Sequence, residues 1–184
     1  MANVAVLLAD GFETVEALTV ADVLRRAGIK TRLVSVMGTT HVITGQQIQI
    51  TADKTIDRLD ASIVSCYVVP GGMPAIKRLL TDERVCDLLA NAMDNPDVTV
   101  AASCAGPVLL AELGLLADRH VTVFPGCEDL FPRECLVDEP VVVDGNLITA
   151  RSTGCSMEFA VKLVEVLAGS EATRKVLSGL GGAQ

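Results

Sequence analysis

Apolar residues along the chain fall into short continuous runs separated by stretches of helical spacing. Asn3-Val-Ala-Val-Leu-Leu-Ala9 is apolar after its first residue and stops at Asp10-Gly11, the pattern of a strand buried on both faces. From Val15 to Ala27 the spacing changes. Leu18, Ala21, Val23, Leu24 and Ala27 line one face of a predicted helix, and Gly28 stands just past its end. Thr31 to Met37 is rich in Val and Leu, and the alternation of Ile43, Ile48 and Ile50 predicts a small hairpin turning near Gly45. A second buried strand is expected over Ile63 to Val69, running into Pro70-Gly71-Gly72-Met73. The next helix is expected over Asp82 to Met93, with Pro96 beyond its end. Val98 to Ser103 forms a third core strand. Pro107 suits a first helical turn, so a helix follows over Val108 to Leu113. Val121 to Phe124 reads as a short strand, Val141 to Ile148 as a hairpin with Asp144-Gly145 at its tip, and Met157 to Leu167 as a last helix closed by Gly169.

Strands alternating with helices imply an α/β fold, a mostly parallel central sheet with helices on both faces and right-handed crossovers. With 184 residues, half of them hydrophobic, the chain is expected to form one domain over 1–184 with a single core. Fifteen basic against 23 acidic residues leave a net charge of −8, so no cationic field favours a nucleic-acid partner. The apolar run before Ala9 lacks a basic flank and is too short for a signal or membrane segment, which implies a cytoplasmic protein with no membrane partner. Six cysteines without a Cys-x-x-Cys spacing, and two histidines at no finger spacing, imply reduced thiols and no metal.

In such sheets ligands bind beyond the carboxyl ends of the strands, which singles out the loops at Asp10 to Glu16, Pro70 to Met73 and Cys104 to Pro107. Cys104 sits where a buried strand passes directly into a helix, between the small residues Ser103, Ala105 and Gly106, as in a nucleophile elbow. Helix-start N–H groups there are expected to favour the thiolate, below the free-thiol value of ~8.5. Backbone N–H groups of Ala105 and Gly72 could hold a carbonyl oxygen under attack, and Gly71 would let the chain approach a ligand closely. A buried, inert cysteine is the competing reading. Glu13 and Glu16 open the first helix at the same sheet end. A carboxyl beside a thiolate is a like-charge pair that favours its protonated form, suited to acid/base work, while acids early in a helix also complement its dipole. The dipole reading suits Glu13 better, and Glu16 remains open. Cys155, after Gly154, is a candidate resolving thiol. His120 opens a strand and so falls at the opposite end of a parallel sheet.

Taken together, Ala9-Asp-Gly-Phe-Glu-Thr-Val-Glu16, Val69-Pro-Gly-Gly72, Ala101-Ala-Ser-Cys-Ala-Gly-Pro107 and Arg151-Ser-Thr-Gly-Cys-Ser-Met-Glu-Phe159 resemble the ThiJ/PfpI superfamily, in its DJ-one branch. The resemblance implies a flavodoxin-like sandwich, a homodimer and no cofactor. It also implies Cys104 as nucleophile with Glu16 beside it and a backbone N–H from Gly72. Protease-like members carry His after the nucleophile, where this chain has Ala105, so a peptidase loses its base. Phe124-Pro125 stands where relatives often have His. Ser152-Thr-Gly-Cys155 replaces a common Gly-Pro-Gly-Thr, making Thr153 and Cys155 candidates for the pocket wall, with Ser103 and Glu13. The activity implied is a glutathione-independent glyoxalase or deglycase, acting on α-oxoaldehydes such as methylglyoxal or on glycated amines. A redox sensor working through oxidised Cys104, or a chaperone, is the alternative.

Overall fold

The computed structural model describes residues 2–181; Met1 and residues 182–184, the ends of the expected domain, lie outside the described residues. The chain opens with β1 (Asn3–Leu8), α1 (Thr14–Arg26) and β2 (Lys30–Ser35), followed by the β3 (His41–Ile43) and β4 (Gln49–Thr51) hairpin and β5 (Lys54–Thr55). β6 (Cys66–Val69), α2 (Met73–Leu80), α3 (Glu83–Asp94), β7 (Thr99–Ser103) and α4 (Gly106–Glu112) come next. The hairpin of β8 (Val141–Asp144) and β9 (Leu147–Ala150) leads into α5 (Ser156–Gly179).

Seven strands form one sheet in the order β5-β2-β1-β6-β7-β9-β8, parallel except for the β8–β9 pair. Moving from β1 to β2 the chain steps one way along the sheet, and from β6 to β7 the other way. With right-handed crossovers, α1 therefore covers one face and α2 and α3 the opposite one. α5 packs on α1, and α4 packs on α2, which completes two helical layers. The central strands β1, β6 and β7 are buried almost throughout, as their unbroken apolar sequence requires.

The structure departs from the sequence expectations in several places. Ile63 is half exposed in a 3₁₀ turn, so the second core strand starts only at Cys66. α2 is an additional helix: Pro74 sits in its first turn, where a missing N–H costs nothing, and Ala75, Ile76 and Leu79 are buried. Val121 makes a single bridge to Leu136 instead of a strand. The last hairpin turns at Gly145-Asn146, one residue later than expected. Gly169 does break α5, at φ 81°, but the chain resumes helical geometry as far as Gly179.

Register decides what meets at the carboxyl edge. Val69 pairs with Ala102 and Ser103 with Ala150. Continuing both pairings by a residue or two sets Gly71 and Arg151 on either side of Cys104. The Cys104 N–H still donates to the Ala150 carbonyl at 2.8 Å.

Candidate active site

Cys104 leaves the end of β7 at φ 59°, a left-handed conformation that costs a non-glycine residue about 1–2 kcal/mol. That turn holds the sulfur at the sheet edge, where the residue is 8% exposed. The Phe124 N–H donates to the Cys104 carbonyl at 3.0 Å, so the segment after α4 closes over the elbow. Phe124 thus brings no imidazole to this place. The His120 ring lies against Asp144 at the other end of the sheet and is largely exposed.

Glu16 projects from the first turn of α1 and is 1% exposed. Its Oε2 accepts from the Gly71 N–H at 2.7 Å and from the Ser103 hydroxyl at 2.7 Å, while its Oε1 accepts from the Thr153 hydroxyl at 2.8 Å. Glu16 Oε2 and the Cys104 sulfur both lie against Gly71, 2.8 and 3.1 Å from the place a Cβ would take there, so carboxyl and sulfur are neighbours. Five elements of the fold therefore meet on one thiol and one carboxyl.

Electrostatics at the sulfur run against the sequence expectation. Burial pushes the Cys104 thiol well above the ordinary thiol range, and the Glu16 charge and its hydrogen bond add to the shift. The Ala105 N–H acts in the expected direction and is outweighed. Glu13 adds a smaller rise of the same sign. Cys66, by contrast, is pushed up to about 12 by burial alone, in the middle of β6.

The glycines make this approach possible. A Cβ on Gly71 would lie 2.7 Å from Cys104 Cβ, 2.8 Å from Glu16 Oε2 and 3.1 Å from the sulfur. Gly72, at φ 102°, would drive a Cβ into the Gly11 carbonyl. Gly71→Ala is therefore expected to force Cys104 and Glu16 apart and to destabilise the fold by about 1–3 kcal/mol through overpacking, read by urea unfolding. An alanine variant as stable as the parent would contradict this packing.

Glu13 is turned away from a capping role. Its carboxylate accepts from Gln46 Nε2 at 2.9 Å, and Gln46 Oε1 accepts from the Thr14 hydroxyl at 2.6 Å. Gln46 thus ties the β3–β4 turn to the start of α1, a link for which a Thr/Gly/Gln segment gives no sequence signal. Cys155 is half-buried at the N-terminus of α5, its sulfur 3.8 Å from the Ser152 hydroxyl. All six cysteines are free thiols, and among the described residues no group of three or more His, Cys, Asp or Glu is placed to hold a metal ion. Among the same residues no helix is long and apolar enough to cross a membrane.

The model of the DJ-1/PfpI family matches residues 2–166. Protein dj-1beta of Drosophila melanogaster is 36% identical over 177 residues, covering 95% of this chain and 94% of its own. A Caenorhabditis elegans protein named glutathione-independent glyoxalase DJR-1.2 is 29% identical over 171 residues, 91% of this chain and 89% of its own. The solved structure of oxidized Toxoplasma gondii DJ-1 superposes with a TM-score of 0.95 at 30% identity, each chain fully covered. A match over nearly the whole length, with the same α/β architecture, settles the assignment: this chain belongs to the DJ-1/PfpI family.

Proposed function

We propose that the protein is a cysteine-dependent, glutathione-independent glyoxalase or deglycase acting on small α-oxoaldehydes or their early amine adducts. The observation that carries this reading is the juxtaposition of Cys104, on a strained elbow at the carboxyl edge of the sheet, with the buried Glu16 carboxyl. As Cys104 Sγ adds to the aldehyde carbon, its proton passes by way of Glu16 to the aldehyde oxygen, and a hemithioacetal forms with Glu16 again a carboxylate. The N–H groups of Ala105 and Gly72 are assigned to hold the oxygen that gains charge. The Glu16 carboxylate then takes the proton from the former aldehyde carbon and returns it to the neighbouring carbon, while the hemithioacetal hydroxyl proton passes to the neighbouring carbonyl oxygen, leaving the thioester of the hydroxy acid. Water adds to the thioester, the C–S bond breaks, and the hydroxy acid leaves with the thiol restored. Aldehyde and water alone balance the equation, with no external oxidant or reductant.

In this proposal the protein works in the cytoplasm as a homodimer. Val15 at the start of α1 and Ile43 and Ile48 of the hairpin are about half exposed, and the Thr14–Gln46 contact gathers them on one side of the molecule. The test is incubation with methylglyoxal in the absence of glutathione. Lactate is expected at a rate proportional to protein, and no lactate above the protein-free control would end the proposal.

A further inference from the structure

At the other end of the strand order, three places from β7 and its Cys104, the loop that follows β2 comes against β5. Together they wall a cavity of about 590 Å³, with Lys54, Arg58, Thr40 and Thr55 among its lining. The charges around it are unevenly matched. Three acids share the segment 53–60, and each is held elsewhere. Asp53 Oδ2 accepts from the Leu33 N–H at 2.7 Å and from Arg25 at 2.6 Å. Asp57 is paired with Arg84 at 2.5 Å, and Asp60 accepts from the Ser62 N–H and hydroxyl. Lys54 Nζ meets the Arg58 carbonyl at 3.4 Å, and among the described residues neither Lys54 nor Arg58 forms an ion pair. The half-buried Thr40 and Thr55 also make no side-chain hydrogen bond to another described residue. Two uncompensated cations and two free hydroxyls therefore line one cavity, in a chain whose net charge is −8.

We propose that this cavity binds the phosphate group of a small, polar phosphorylated metabolite of the sugar-phosphate class. The planar fork of a guanidinium suits two phosphate oxygens, an ammonium adds a point charge, and threonine hydroxyls donate to the oxygens that remain. The volume lies within the range of roughly 300–1,000 Å³ usual for small-molecule sites, which is more than a bare phosphate fills. Threonines, His41 and charged side chains make up the walls, with no large aliphatic group, so the body attached to the phosphate is polar as well. A long polyanion would meet the −8 of the whole chain, whereas a dianion meets the local field of Lys54 and Arg58. That favours a small ligand over a nucleic acid.

The chain's two histidines give the readout. His41 lines the cavity, and His120 lies against Asp144, away from it. Their imidazole NMR signals, assigned through His41→Asn and His120→Asn, are followed in the isotope-labelled full chain during titration with inorganic phosphate, glucose 6-phosphate and glucose. Ionic strength is held constant with chloride, so that screening does not change. Both phosphates should shift the His41 signal along a saturating curve while His120 stays fixed, and glucose should shift neither. Lys54→Gln and Arg58→Gln should each weaken binding by about tenfold, the weight of one hydrogen bond to a charged group. Lys77→Gln, at an exposed position of α2 outside the cavity, should leave it unchanged. No saturation at His41, a matching shift of His120, or equal weakening by all three variants would overturn the proposal. Tighter binding of bare phosphate than of glucose 6-phosphate would do the same, since it would leave no place for the ester's body. Should one cavity variant not fold, the other is read alone. Methylglyoxal turnover plays no part in the readout, so the outcome stands apart from the role proposed for Cys104.

Discussion

Cys104→Ala is expected to bring lactate formation from methylglyoxal down by about a thousandfold or more, to the protein-free background, because the proposed covalent intermediate forms on its sulfur. The loss should come without collapse of the fold. Alanine keeps the Cβ and therefore the same strain at φ 59°, and Glu16 retains donors from Gly71, Ser103 and Thr153. Removing one thiol donor from that set costs about 1 kcal/mol, so the thermal midpoint should move by only a few degrees. Turnover and thermal unfolding measured on one preparation separate the two effects. Retained turnover would move the chemistry to another residue, and a large fall in midpoint would make Cys104 a packing residue first.

The frame of the site was legible because each part of it is local. An apolar run ending in Ser103-Cys104-Ala105-Gly106 reads as a strand passing into a helix, and Gly71-Gly72 as a place where backbone comes close. What escaped is tertiary. The helix N-terminus beside Cys104 is a sequence feature, and it predicts a lowered thiol. The desolvation and the Glu16 charge that reverse the sign come from residues far off in sequence, brought in by the neighbouring β1–α1 unit. Thr153 is similar: nothing in Ser152-Thr-Gly-Cys155 says that its hydroxyl reaches a carboxyl in the first helix. Among the elements, α2 was hidden by Gly72-Met73-Pro74, whose turn signal masks a helix start, although Ile76 and Leu79 carry its buried face. The apolar alternation at Val121 to Phe124 suggested a strand because burial and pairing leave the same mark on short segments. There the segment is held by single bonds to Cys104 and Cys135 carbonyls instead of a ladder.

Glu16→Gln should move thiol acidity and turnover in opposite directions. The carboxylate raises the Cys104 thiol both by its charge and by accepting the S–H bond, and the amide removes the charge. Burial still holds the thiol up, so the alkylation midpoint should fall from its parent position without reaching that of a free thiol in water. An amide cannot collect a proton from sulfur or return it to carbon, so turnover should drop by about 10²–10⁴-fold, the usual weight of a general acid/base. Stability gives an independent readout of the same substitution. The introduced amide can still accept from the Gly71 N–H and the Ser103 hydroxyl with its single oxygen, but its NH₂ group then faces the Thr153 hydroxyl, which must rotate to accept. A modest loss of about 1–2 kcal/mol is expected, smaller than for Glu16→Leu, which leaves the Gly71 N–H and the Ser103 hydroxyl buried without partners. If Glu16→Gln turned over methylglyoxal at the parent rate while its alkylation midpoint fell, Glu16 would set thiol acidity without carrying the proton. The reaction would then need another base at the sheet edge, and the Gln46-bound Glu13 is the carboxylate whose charge already bears on the sulfur.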